Sequence, residues 1–424
     1  MMIMRISLLL STLLCLHPVQ AWLPPARRSA TVQCGVSAPD TLDDEQAFLE
    51  KCRILCEERN LPLEKVKNCR DLASVRKSPI QPNRIYRLGR LSDATDADID
   101  LLLRGKVNLT TIVDLRSPTE LKDDPTLFRP AVFGNFTTLV WKEQGRGKPG
   151  CVKELPPGES PVMKKRRFRK KKDNGDEILH EEEAAISHDD DDEASSSSSE
   201  ESLPNELLSE EFCVPCAQDK PVPHRKERHF VSMMNEWKYV KGTASKLRKR
   251  DITKALMKSP GALVSRRVRS SIKKPFLDEI NDGGLPMLNE LLLRFGAPGI
   301  RYVLELCADR TRHPIGFHCT AGKDRTGLIA ALVLALCGVE PEDIVEDYTL
   351  SANVYAEMND HKAMVGALSQ RNLDPKTFLG APPHVMREIL QSIEEDYGSV
   401  QEYCNWIGFG PEMQAKLVEA CTQP

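Results

Sequence analysis

A chain of 424 residues is long enough for two or three domains. Only 5% of its residues are aromatic and 29% are charged, which excludes folding of the whole length, because part of it cannot bury enough apolar surface. The net charge of −3 is uninformative, since charge is strongly segregated along the chain.

Arg5 precedes an apolar run, Ile6 to Leu16, followed by Val19-Gln20-Ala21. A charged start, a short greasy stretch and a small-residue cleavage site predict a secretory signal over 1–21. The run is too short for a stop-transfer span, so no stable membrane insertion is expected once it is removed. Trp22-Leu23-Pro24-Pro25 then leads into Arg27, Arg28, Ser29 and Thr31, with no acidic residue before Asp40. That acid-poor stretch over 22–40 is transit-like, and the two segments together resemble the bipartite presequences of algae with complex plastids. Plastid import is the expectation, with secretion or an endomembrane lumen as the alternative.

Residues 41–75 are helical in pattern, with Phe48, Leu49, Cys52, Leu55 and Cys56 at helical spacing. Without a second pair, Cys52 and Cys56 read as core thiols rather than metal ligands. Ile85 to Leu88 reads as a short strand, and Ser92 as the cap of a helix through Leu103, with Asp93 and Asp96 in its first turn. Thr110 to Leu115 suits a buried strand of a parallel sheet, and Phe136 to Trp141 suits another.

The character then changes. Lys164 to Lys172 is basic except at Phe168, and Glu181–Glu183, Asp189–Asp192, Ser195–Ser199 and Glu200–Glu201 follow. Such blocks cannot nucleate a core, so 143–222 is expected to be a disordered insertion dividing one domain into 41–142 and 223–424. The basic block reads as solvated loop, and no nucleic-acid partner is expected. Cys213-Val-Pro-Cys216 lacks the strand-to-helix setting of a redox motif. Arg225–Lys274 holds 16 Lys/Arg against 3 Asp/Glu, with helical segments around Met233–Val240 and Ile252–Met257. It is read as a basic helical lid that raises the local concentration of an anionic ligand, or else as a solvated face.

Gly284–Leu306 is periodic and apolar, broken around Gly296–Gly299, and Ile315–His318 is a strand. The run from Gly327 to Cys337 is apolar all round, a buried helix closed by Gly338. Between strand and helix lies His318-Cys-Thr-Ala-Gly-Lys-Asp-Arg-Thr-Gly327. A loop of small and polar residues opening a helix is an anion site, with the amides of Thr320, Ala321, Gly322 and Lys323 pointing inward. Gly322 permits close approach of the backbone. Cys319 at the head of the loop is placed to attack phosphorus as a thiolate stabilised by the same dipoles. Arg325 can fork two N–H groups onto phosphate oxygens, the Thr326 hydroxyl can support the departing sulfur, and His318 fixes the loop from behind. No metal and no cofactor are called for.

The pattern His-Cys-x5-Arg-Thr-Gly resembles the protein tyrosine and dual-specificity phosphatases, and Ala321-Gly322-Lys323-Asp324 resembles their atypical, bacterial-type branch. Outlying segments resemble that branch too: Asn68-Cys-Arg-Asp-Leu72, Tyr86-Arg-Leu-Gly-Arg-Leu91, Val113-Asp-Leu-Arg116 with Glu120, Tyr348-Thr-Leu-Ser351, and Tyr397-Gly-Ser-Val through Ile407-Gly408. Cys69 and Leu88 depart from the branch's Phe and Ser. The likeness covers about 65–142 and 280–410. It implies an α/β cysteine-phosphatase fold, a mostly parallel central sheet flanked by helices. It also implies a general acid inside the loop, Asp324, with Asp114 at the end of a sheet strand as the alternative. Lys323 suits an additional phosphate, as in phosphoinositide phosphatases.

The expected activity is hydrolysis of phosphotyrosine or dual-specificity protein substrates through a phosphocysteine. The alternatives are a phosphoinositide phosphatase, a non-catalytic phospho-binding module and a sulfurtransferase. The 13 cysteines lack the spacing of a secreted disulfide framework, and a thiolate nucleophile fits a reducing stroma better than an oxidising lumen.

Overall fold

Short runs rich in apolar and β-branched residues become strands where the sequence leads one to expect them: β2 (Ile85–Leu88), β3 (Thr111–Asp114), β4 (Phe136–Lys142) and β7 (Ile315–His318). The computed structural model describes residues 42–121, 124, 130–144, 150–156, 161, 225–234, 236–258, 266–352, 354 and 374–424. Among these, β1 (Arg70–Asp71), β5 (Cys151–Glu154) and β6 (Lys226–Val231) complete one sheet in the order β1-β2-β7-β3-β6-β4-β5. The five inner strands run parallel, while β1 and β5 pair antiparallel at the edges.

Alternation along these strands buries two faces. Ile85, Val113, Ile315, Phe317 and Val231 pack with helices Ala297–Cys307 and Asp324–Leu336. Tyr86, Leu88, Ile112 and Phe136 pack the other way, on Ile99, Leu102 and Leu103. The fold is therefore the expected α/β arrangement. Because parallel neighbours β2 and β3 flank β7, their C-terminal ends converge on the loop after His318, where open parallel sheets bind ligands.

Several local expectations are corrected. The N-terminal helix covers Leu42–Arg59 and stops there, short of residue 75, since Arg70–Asp71 is recruited as an edge strand. Its Cys52 is buried, and Cys56 Sγ donates to the Leu350 carbonyl at 3.2 Å, so both thiols serve packing. Thr95, not Ser92, caps the next helix, Asp96–Ile99, with Asp98 closing a capping box and five π-helical residues following. Ser92 instead accepts from Arg116 Nη1 at 3.3 Å.

The stretch read as insertion begins with structure: Cys151–Glu154 is a strand paired with β4. Lys226–Val231, read as part of a basic helical region, is a strand between β3 and β4. Its polar composition hid it. Arg228 is buried there because the rings of Phe133 and Phe230 stack on its guanidinium, at 4.0 and 4.6 Å, with Asp114 3.6 Å away. The helices after it span Glu236–Lys246 and Lys249–Lys258. The long apolar helix runs from Arg266 to Phe295, kinked at Gly284 (φ 53°), and breaks at Gly296 as expected. The expected targeting segments over 1–21 and 22–40, the charged and serine runs between 162 and 224, and the Cys213–Cys216 pair lie outside the described residues.

Asp98 ties this N-terminal half together. Its carboxylate, buried to 1% exposure, accepts from the amides of Glu64, Lys65, Val66 and Thr95 at 2.7–3.2 Å. Asp98→Ala strands these donors and is expected to lower unfolding free energy by roughly 2–4 kcal/mol. Urea denaturation checks it, and a loss within experimental error refutes the role.

Candidate active site

The anion loop starts at the end of β7. The His318 carbonyl accepts from the Leu115 amide at 2.8 Å, and the helix Asp324–Leu336 takes over six residues later. Gly322 is left-handed (φ 70°), and a Cβ there would lie 2.5 Å from the Leu88 carbonyl oxygen, so glycine is required on two counts. Three successive carbonyls are held from outside. Arg90 N–H donates to Thr320 (3.0 Å), Asn68 Nδ2 to Ala321 and Gly322 (3.2 and 2.8 Å), and Arg87 Nη2 to Gly322 (2.8 Å). The amides of Thr320, Ala321 and Gly322 donate to no protein carbonyl among the described residues.

Cys319, at the head of this loop, is 3% exposed. Arg325, from the first turn of the helix, gives its Nη1 and Nη2 edge to Glu120, both contacts at 2.6 Å, and a further Nη1 bond to the Leu115 carbonyl at 3.3 Å. Three of five N–H donors are thereby used, which leaves the Nε–H and one Nη2–H, the side-on fork, for an oxyanion. Glu120 also accepts from the Thr320 hydroxyl at 2.8 Å and the Ser117 amide at 2.9 Å. Burial alone would raise the Glu120 carboxyl, but the charge and hydrogen bonds of Arg325 outweigh it and hold it at about 2. The Thr326 hydroxyl is buried and has no hydrogen-bond partner among the described residues.

The two candidate acids sit in different surroundings. Asp114 is fully buried and is gripped by Arg116 through Nε (2.9 Å), Nη2 (2.7 Å) and the backbone amide (3.1 Å). Burial opposes its charge, but His318, Arg116 and Arg228 around it hold the carboxyl well below the usual range. Asp114 pairs with Arg116, whereas Arg87 pairs with Asp347. Asp324 stands at the loop, its side chain 31% exposed; its buried Oδ1 lies 3.4 Å from Lys323 Nζ, an ion pair, and accepts no hydrogen bond among the described residues. His318 ends β7, where the loop begins. Its Nδ1 faces the Cys319 carbonyl at 3.1 Å, its Nε2 is 3.7 Å from Asp114, and burial pushes it down to about 4.

Lys323 departs from expectation. Its side chain is fully buried and donates to the carbonyls of Phe378 and Gly380 at 2.8 and 2.6 Å, with Asp324 Oδ1 3.4 Å from the same nitrogen. Those carbonyls need a donor, and Lys323 Nζ supplies it.

The structure adds Tyr239, on helix Glu236–Lys246, close enough to Arg325, Glu120, Asp324 and Cys319 to feel their charges. It also adds Asn68, Arg70, Arg87, Asp347 and Ser351 behind the loop. All but Tyr239 and Asp347 fell inside the outlying segments read above, so a signal for them existed, though not for their roles. Tyr239 had none, because only chain folding brings its helix to the site.

The family model described as "Tyrosine phosphatase family" matches residues 61–202 and 245–423. A tyrosine-protein phosphatase of Nostoc commune is 32% identical over 117 residues, 26% of this chain and 40% of that protein. The triple specificity protein phosphatase PtpB of Mycobacterium tuberculosis is 33% identical over 118 residues, 24% of this chain and 41% of that protein. The chain thus spans about two fifths of the length of these relatives.

The Glu120–Arg325 pair has a pH signature. A carboxyl lowered on folding contributes its stabilisation fully above the unfolded value of about 4.5 and loses it as pH falls toward about 2. Between those limits the midpoint of thermal unfolding is expected to fall by a few degrees more in the unaltered chain than in Glu120→Gln. Parallel midpoints would show that the pair does not stabilise the fold.

Proposed function

Because the chain belongs to the tyrosine phosphatase family, we propose that it hydrolyses phosphate monoesters, phosphotyrosine and dual-specificity protein substrates, through a phosphocysteine on Cys319. The observation that carries the reading is the loop that follows Cys319, whose Thr320, Ala321 and Gly322 amides donate to no protein carbonyl among the described residues, beside an Arg325 that spends only one edge on Glu120. The Cys319 thiolate attacks phosphorus and the bond to the leaving oxygen breaks, while Arg325 and the loop amides bind the equatorial oxygens. Asp324 gives its proton to the leaving oxygen. Water then attacks the phosphocysteine, Asp324 takes the water's proton, and the S–P bond breaks to release inorganic phosphate. Thr326 donates to the departing sulfur, a role supported by its buried hydroxyl lacking another partner among the described residues. Asp324 as the acid is supported by contrast with Asp114: Asp114 is fully buried among Arg116, Arg228 and His318 and held ionised, whereas Asp324 is partly exposed with one cationic neighbour, Lys323, at 3.4 Å.

The helix Glu236–Lys246 carries Tyr239 to the site, which supports the lid reading. The name of the mycobacterial relative, a triple specificity protein phosphatase, supports a site open to more than phosphotyrosine. A phosphoinositide substrate is not favoured, since Lys323 is spent on the Phe378 and Gly380 carbonyls. An inert binding module is not favoured either, with Cys319 and Arg325 both in place. Among the described residues no helix is long and apolar enough to cross a membrane. The N-terminal pattern supports plastid import through the secretory route.

Cys319→Ser is expected to cut hydrolysis of para-nitrophenyl phosphate by on the order of a thousand-fold or more, with no effect of chelators on the unaltered chain. Activity that survives this change sinks the mechanism. Asp324→Asn should remove the group that shapes the pH dependence of single-turnover rates, and Asp114→Asn should not; the reverse result reassigns the acid. A panel of phosphotyrosine, phosphoserine and phosphoinositide substrates tests the substrate class. A fluorescent fusion of residues 1–45 is expected in the plastid of an alga with complex plastids, and fluorescence confined to the secretory lumen rejects that address.

A further inference from the structure

The back of the anion loop is built from charged groups that never meet substrate. Asp347 is buried between two buried arginines: Arg70 Nε reaches Oδ1 at 2.6 Å, and Arg87 Nη1 reaches Oδ2. Two guanidiniums on one carboxylate leave a formal excess of one positive charge behind the loop. Arg70 also donates to Asn68 Oδ1 through Nη1, at 2.5 Å. That bond turns the Asn68 amide so that Nδ2 faces Ala321 O, Gly322 O and the Ser351 hydroxyl. Asn68 reaches this place with a left-handed backbone (φ 57°), which asparagine tolerates better than most residues.

A trans peptide is planar, so a carbonyl pulled outward turns the next amide inward. We propose that Arg87 and Asn68 are positioning residues that set the direction of the loop's peptide dipoles. By holding the Ala321 and Gly322 carbonyls from behind, they aim the Gly322 and Lys323 amides at the oxyanion. Arg90 N–H does the same for Ala321 by holding Thr320 O at 3.0 Å. The excess charge acts through these bonds, because each carbonyl on a cation polarises its peptide and strengthens the amide opposite. Burial and the neighbouring Arg70 push Arg87 down to about 10, in keeping with a cluster short of negative charge until an oxyanion arrives. Arg87 Nε, buried and without a hydrogen-bond partner among the described residues, is consistent with that shortage. The inference rests on the phosphatase reading only for the identity of the anion.

The test uses tungstate, bound calorimetrically to the full chain carrying Cys319→Ser, so that no turnover is needed. Asn68→Asp keeps an oxygen for Arg70 but removes the donor to the loop. Arg87→Lys keeps the charge beside Asp347 but not the second donor nitrogen. Added singly, each is expected to weaken tungstate binding by roughly ten- to a hundred-fold, the range for a hydrogen bond at a charged site. A merely structural role predicts a lower unfolding midpoint with unchanged affinity in whatever folds, and that result overturns the proposal. Hydrogen exchange on Cys319→Ser alone covers the case of variants that do not fold. The amides of Gly322 and Lys323 should slow on adding tungstate, and no slowing also overturns it. Tungstate binding that depends on Arg87, in a chain that hydrolyses no phosphate ester, would sink the phosphatase and leave the cradle. Turnover with affinity indifferent to both variants would do the reverse.

Discussion

Two arginines, Arg70 and Arg87, share the buried carboxylate of Asp347, and much of the molecule is arranged so that this cluster can exist. Arg70 comes from an edge strand, Arg87 from β2, and Asp347 from the helix Pro341–Thr349. Charges this deep are tolerated only with partners and full hydrogen bonding. The Asn68 side chain, the Ser351 hydroxyl and the Gly322 carbonyl supply what Asp347 alone cannot. Segments far apart in the chain are thereby obliged to meet behind one loop.

A second network lies on the other side of β7, and it has a different task. Asp114, Arg116, Asp124, Arg228 and His318 are all nearly or fully buried. Here two carboxylates face two guanidiniums, with Arg116 bonded to both acids. The charges balance, so the network can hold the ends of β3 and β7 together without an external ion. The same pairing holds the Asp114 carboxyl ionised, well below the usual carboxylate range.

Glu120 connects the fold to the reacting centre. It occupies one edge of Arg325 and the Thr320 hydroxyl together, and so restrains both ends of the loop from a single carboxylate. Lys323 is the counterpart on the far side, binding the Phe378 and Gly380 carbonyls and joining the loop to the segment before the helix Pro383–Tyr397. The loop's side chains therefore divide into those that brace it and those left for chemistry. Sequence spacing alone does not separate the two groups.

Much of this was legible in the residues from His318 to Gly327. A strand, a loop of small and polar residues and an apolar helix dictate an anion site by local chemistry, since backbone amides at a helix start carry the positive potential wherever the helix lies. The strands at Ile85, Thr111, Phe136 and Ile315 were equally readable, because each is a short run dominated by apolar, aromatic and β-branched residues, which fit a packed sheet. Lys226–Val231 was not readable, because its arginine and histidine are buried through partners supplied by other segments: Phe133, Asp114 and Tyr302. The same reason governs the site. Cys319 and Arg325 announce themselves by spacing. The pairing of Asp114, the burial of Lys323 and the hydrogen bonds on the loop carbonyls depend on groups up to 254 residues away in sequence. Local chemistry determined what the loop can bind, and only tertiary structure decided which side chains remain available to act on it.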